Sequence, residues 1–153
     1  MVKYWKDVGD CLRAYHEKFR RTDLPELVIS GIYVLTPPEE AGAPLSIAGR
    51  WPDQWPNNGR QGVYLVFGKG YELLYVGKAS AKSSMGARLS TYFQYNHTDR
   101  LCRIVEHTDW RSWSKDPKYV VTIAVPEDFS FEAPALEEYL IASLQPPDNK
   151  NAR

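Results

Sequence analysis

Glu137 is the residue whose position is hardest to explain by folding alone. Taken as part of a helix, it shares a side with Ala133, Leu140, Ile141 and Leu144, at offsets of minus four, three, four and seven. Glu138 points away from that cluster. A carboxylate at the centre of an apolar stripe is unfavourable to bury unless a cation or a hydrogen-bond donor meets it. The groups that could meet it lie upstream: Tyr64 and Tyr75, then Lys78 and Lys82, then Arg88. An arginine offers a planar, two-pronged fork to a phosphate that a lysine cannot reproduce. Charge is segregated along the chain in the same sense. Residues 59–103 hold seven basic side chains against two acidic ones, and residues 126–141 hold five acidic and no basic ones. Two readings stay open: mutual compensation of surface patches, or a cationic phosphate-binding face around a carboxylate that holds a cation.

These residues need elements to position them. Trp5, Val8, Leu12, Tyr15 and Phe19 recur at spacings of three and four, which predicts a helix over residues 3–20 with one apolar face. "ELVISGIYVL" reads as a buried strand ending at Pro37 and Pro38. Residues 36–58, rich in proline and glycine with two Trp-Pro pairs, read as an irregular loop. "GVYLVF", the turn residues "GKGYE" and "LLYVG" predict an antiparallel hairpin carrying Tyr64 and Tyr75. Met85, Leu89, Tyr92 and Phe93 predict an amphipathic helix from Ser84 to Tyr95 that carries Arg88. A short helix around Leu101–Val105, capped by Thr98, is expected next. "KYVVTIAV" is a third strand, and residues 130–144 a helix with Ser130 as its cap and Pro134 in its first turns.

Bulk properties narrow the field. The 153 residues fit one domain with a core of its own. No apolar run is long enough to span a bilayer, and the charged N-terminal segment does not read as a signal peptide, so a soluble, cytoplasmic protein without membrane partners is expected. Cys11 and Cys102 stand apart from any Cys/His cluster, which excludes a zinc site of ordinary ligand spacing and leaves buried free thiols. Neither a phosphate-cradling GxxxxGKS nor a GxSxG occurs. The formal net charge of zero argues against a strong nonspecific hold on polyphosphate.

"GVY" at 62–64, ten residues, "YVG" at 75–77, "RLSTYF" at 88–93 and "LEEYLIASLQPPDN" at 136–149 follow one another in an order and spacing that resembles the GIY-YIG nuclease family, within it the nuclease domains of excision-repair incision proteins. The resemblance covers residues 60–149, and the loop from Gly77 to Arg88 is longer than in the repair nucleases. A second glycine-aliphatic-tyrosine word, "GIY" at 31–33, lies 41 residues before "YVG", too far for a tight hairpin, and Tyr33 is read as a packing residue.

The resemblance implies an α/β (α+β) fold, a small three-stranded antiparallel sheet flanked by helices. Residues 1–58 would be an N-terminal extension packed on a nuclease-like domain at 59–150. It implies metal-assisted hydrolysis of phosphodiester bonds in DNA, with RNA not excluded. Glu137 would bind Mg2+ or Mn2+, cations that prefer oxygen ligands. Tyr64 would accept the proton of the attacking water, Tyr75 would position phosphate and water, Arg88 would clamp the phosphate, and Asn149 would hold the far wall of the site. Lys78 would favour a Tyr64 phenolate, and Lys82 would contact substrate. A phenol is a weak base at neutral pH, so Tyr64 needs positive charge beside it.

Each residue alone has a plainer reading: Tyr64 and Tyr75 as strand aromatics, Arg88 as a solvated helix residue, Asn149 as a terminator. A noncatalytic nucleic-acid-binding or structural module with the same fold is the alternative to an enzyme. His16 and His107 have no assigned role, and His97 is a candidate DNA contact. Trp51, Trp55, Trp110 and Trp113 could stack on bases or pack in the core. The neutral charge leaves room for a homodimer or a protein partner.

Overall fold

The computed structural model describes residues 1–35, 46–95, 102–104 and 113–149, with Tyr95 and 102–104 described by their backbone. Along the chain the elements are α1 (Trp5–Phe19), β1 (Val28–Ile29), β2 (Ile32–Val34), β3 (Ile47–Arg50), β4 (Gly62–Phe67), β5 (Leu73–Ala79), α2 (Met85–Leu89), β6 (Phe93–Tyr95), β7 (Cys102–Ile104), β8 (Tyr119–Ala124) and α3 (Glu132–Leu144). The fold is α+β, a multistranded sheet flanked by helices. Its strand order is β3-β2-β8-β4-β5, with β1 also on β8. β4, β5 and β8 form the expected three-stranded antiparallel unit. β1 and β2 extend it antiparallel to β8, and β3 joins parallel to β2.

β4 has all six residues buried, because this sheet is covered on both faces and an alternating pattern would leave polar residues inside. Val63, Leu65 and Phe67 face the layer built from Val8, Leu12 and Tyr15 of α1 and Ala133, Leu136, Leu140 and Leu144 of α3. Tyr64 and Val66 face the other layer, with Trp55, Met85, Leu89, Tyr92 and Phe93. A register shift between Val66 and Phe67 makes Leu74 the extra residue of a bulge, so Leu74 and Tyr75 both join that second layer.

α1 docks on α3 through a buried ion pair: Arg20 Nε and Nη2 donate to the Glu132 carboxylate at 2.8 and 3.0 Å, and Tyr15 Oη donates to it at 2.9 Å. Arg20 and Glu132 side chains are 1% and 7% exposed, so removing either leaves the other charge buried and uncompensated. β8 is tied to the preceding segments by Thr122. Its N–H donates to Ser30 Oγ at 3.0 Å and its hydroxyl donates to the Pro56 carbonyl at 2.9 Å.

The structure corrects several readings of the sequence. The single strand expected over residues 26–35 is broken at Ser30 and Gly31, where Ser30 Oγ turns to bond the Gly31 carbonyl. The described end of the proline-rich segment is not wholly irregular, since β3 adds to the sheet edge. α2 stops at Leu89, and Phe93 opens β6. The expected helix at 101–105 is contradicted by strand β7, which pairs with β6; Thr98, its expected cap, lies outside the described residues. α3 begins after Phe131, not at a Ser130 cap, because residues 127–129 wind a tight 3-10 turn into it. Among the described residues no helix is long and apolar enough to cross a membrane. Cys11 is a half-buried free thiol. The side chains of Cys102 and Arg103, together with His97, Arg100, His107 and Trp110, lie outside the described residues.

Candidate active site

At the end of β5, Tyr64, Tyr75, Lys78, Ser80, Ser83, Arg88 and Glu137 line one open cleft of about 290 Å³. Strand alternation explains how β5 serves both sides of it. Tyr75 and Gly77 face the α2 layer, and Lys78 turns to the α3 side, where its Nζ lies 3.6 Å from Glu137 Oε1. Gly77 sits in register with Tyr64, and a Cβ there would clash with Cζ and Oη of the Tyr64 phenol. The glycine of "YVG" is thus the floor on which the tyrosine of "GVY" rests. Gly62 is fixed by a second close approach: its φ is +154°, and a Cβ would collide with the Ile123 carbonyl oxygen of β8.

Arg88 stands on α2, a single turn whose start is held from outside. Ser84 caps it by accepting from Ala87 N at 3.3 Å, and Met85 N and Gly86 N donate to the Arg60 and Asn58 carbonyls, both at 2.9 Å. Trp55 Nε1 donates to Ser90 Oγ at 3.2 Å on the far end of the turn. Arg88 Nε is buried with no hydrogen-bond partner, and among the described residues no carboxylate lies within 4.0 Å of its guanidinium. A guanidinium that lines a cleft and makes no direct ion pair among the described residues has donors left for an anion from outside.

Tyr92 is a site residue that sequence reasoning passed over. Its oxygen accepts from Tyr64 Oη at 3.1 Å and from Arg88 Nη2 at 3.3 Å, which makes it the joint between them. The signal was its place four residues after Arg88, obscured by reading Tyr92 as part of an apolar helix face. Burial holds the Tyr64 phenol well above its ordinary pKa, with the Tyr92 and Tyr75 hydroxyls adding to the effect and Arg88 opposing it. Tyr75 is raised for the same first reason. Burial also lifts Glu137 above the usual carboxylate range, and Lys78 pulls it back down.

Two candidates fall elsewhere. Lys82 is exposed and does not line the cleft. Asn149 is buried with its amide engaged on backbone: Oδ1 accepts from Val76 N and Nδ2 donates to Val76 O, both at 2.8 Å. Val76 directs its polar groups to the free edge of β5, so the amide closes that edge as a neighbouring strand would. Asp148 N adds a bond to the Leu74 carbonyl at 3.0 Å. Asn149 therefore braces the strand that carries Tyr75 and Lys78 and has no part in the cleft lining.

The polar groups around the cleft suit a hard cation. Among the described residues no three His, Cys, Asp or Glu side chains cluster. Besides the cationic Lys78 and Arg88, the lining drawn from the described residues offers oxygen, with Glu137 its one carboxylate beside phenols and serine hydroxyls. A single carboxylate fits Mg2+ or Mn2+, which keep most of their waters and share the rest of their shell with substrate oxygens.

No family model matches the chain, and no solved structure matches it. Over 91 residues, 59% of its length, the chain is 37% identical to UvrABC system protein C of Hyphomonas neptunium, of which it spans 12%.

Proposed function

We propose that the protein is a GIY-YIG-type endonuclease that hydrolyses phosphodiester bonds in DNA with Mg2+ or Mn2+. The observation that carries this reading is the meeting of Tyr64, Tyr75, Lys78, Arg88 and Glu137 in one cleft, from four elements spread across the chain. The similarity to UvrABC system protein C supports it. In this reading residues 59–150 are the nuclease-like unit and residues 1–58 an extension packed on it.

Arg88 clamps the scissile phosphate, since its charge has no carboxylate partner among the described residues and its orientation is fixed by Tyr92. Tyr75 orients phosphate and water from the neighbouring strand. Tyr64 takes the proton of the attacking water as a phenolate, its own proton having been given up to bulk water in a prior ionisation. Burial opposes that loss, and the cationic Arg88 favours it. Glu137 would hold the metal, with Ser80 and Ser83 lining the same cleft. A divalent cation bound there would supply positive charge to the phosphate and the leaving oxygen. Asn149 acts through Val76, by keeping β5 in place.

The test is digestion of plasmid, branched and single-stranded DNA by the wild type and Glu137→Ala, with Mg2+ or Mn2+ and with chelator. The wild type should cut only with metal. The variant should lose at least about 1,000-fold in rate with an unchanged circular dichroism spectrum. Equal cleavage by both proteins would sink the proposal, and DNA binding without cleavage of any substrate would favour a noncatalytic binding module.

A further inference from the structure

Lys78 and Glu137 stand on different elements, β5 and α3, and face each other across the cleft. Lys78 Nζ lies 3.6 Å from Glu137 Oε1, longer than a tight hydrogen bond, with the two side chains 42% and 14% exposed. The carboxylate is the more enclosed partner, and Lys78 is its salt-bridge partner among the described residues. Its other neighbours on α3 are unhelpful, since Glu138 adds like charge and Ala133, Leu136 and Leu140 are apolar. Lys78 reaches across from β5 on a flexible four-carbon stem, so its ammonium can leave without disturbing the strand.

We propose that Lys78 is a tethered cation that occupies Glu137 until a divalent metal takes its place. This rests on the reading of Glu137 as the metal ligand. Three observations favour exchange over simultaneous binding. First, Glu137 is the single carboxylate that lines the cleft among the described residues, so ammonium and metal compete for the same oxygens. Second, the pair is loose and partly wet, the kind that contributes little and yields readily to a dication. Third, the released ammonium stays at the cleft, beside the place where a phosphate would meet Arg88. Lys78 thereby keeps a half-buried carboxylate compensated in the resting protein and turns toward substrate once metal is bound. It is a positioning residue in the resting state, distinct from a metal ligand.

The prediction is that removing the tethered charge improves metal binding. Mn2+ titration of the full chain, followed by electron paramagnetic resonance of free Mn2+ and without nucleic acid present, gives the affinity independently of activity. Lys78→Met, which keeps most of the stem, should bind Mn2+ about fivefold tighter than the wild type. Lys78→Arg, which keeps a cation opposite Glu137, should bind no tighter than the wild type. Glu137→Gln should lose the site in either background. Mn2+ affinity of Lys78→Met equal to or weaker than wild type, with Glu137→Gln still defective, would overturn the exchange and leave the metal-ligand reading standing. Wild-type affinity in Glu137→Gln would overturn both. Matching circular dichroism spectra guard against unfolding as the cause.

Discussion

The chain writes glycine-aliphatic-tyrosine twice, and the two copies lie on either side of the same strand. "GIY" runs into β2 and "GVY" opens β4, and both strands pair antiparallel with β8. Tyr33 and Tyr64 are both fully buried, in the same aromatic layer, and each sits in register with a glycine of the next strand outward, Gly49 and Gly77. What separates them is the company of the hydroxyl. Tyr33 Oη donates to the Asp53 carbonyl at 2.6 Å, and its ring packs against Trp55 with centroids 4.7 Å apart, so it ends in a wall of the protein. Tyr64 Oη donates to Tyr92, is linked through it to Arg88, and borders the cleft. Burial and strand position therefore do not distinguish the two copies; the neighbours of one oxygen atom do.

The glycines give the sharpest way to break this comparison. A Cβ at Gly49 would meet the Tyr33 ring at 3.4 Å, an ordinary contact, whereas at Gly77 it would overlap the Tyr64 phenol. Gly77→Ala should cut DNA cleavage by at least about 100-fold by displacing that hydroxyl, and Gly49→Ala should stay within about twofold, as read from initial rates. The next effect concerns pH. Tyr64 is held above the ordinary 10.0, so its base form grows with pH throughout the neutral range. The single-turnover rate should then rise about tenfold per pH unit from about pH 7 to 9, with the same slope in Tyr33→Phe. A flat profile would remove Tyr64 from the base role. The smallest effect is on stability: Tyr33→Phe strips the Asp53 carbonyl of its donor and should lower unfolding free energy by about 1 kcal/mol in urea titration.

Much of this was legible in the sequence because it is local. The 3.6-residue spacing gave α1, the turn residues "GKGYE" gave the β4–β5 hairpin, and the apolar stripe around Glu137 led to α3 and to the cleft carboxylate. What escaped notice depends on partners distant along the chain. β3 owes its pairing to β2, across a segment whose prolines read as a loop. Met85, Leu89, Tyr92 and Phe93 fit a helical period, but only the first two lie in α2, since Phe93 pairs with Ile104 of β7. Glu132 is more deeply buried than Glu137, and nothing local announces it, because its partner Arg20 stands 112 residues away. A carboxylate inside α3 is thus not in itself a sign of chemistry. Glu132 is fully engaged by Arg20 and Tyr15, while Glu137 faces an open cleft and a loosely held lysine.

The central claim is that Tyr64 does chemistry and Tyr33 does not, although the two share a sequence word, a sheet and a degree of burial. Single-turnover cleavage of one DNA substrate with Mn2+, comparing Tyr64→Phe with Tyr33→Phe at equal substrate binding, tests it directly. The account predicts a loss of at least about 100-fold for Tyr64→Phe and a rate within about twofold of wild type for Tyr33→Phe. Equal rates for the two variants would contradict it.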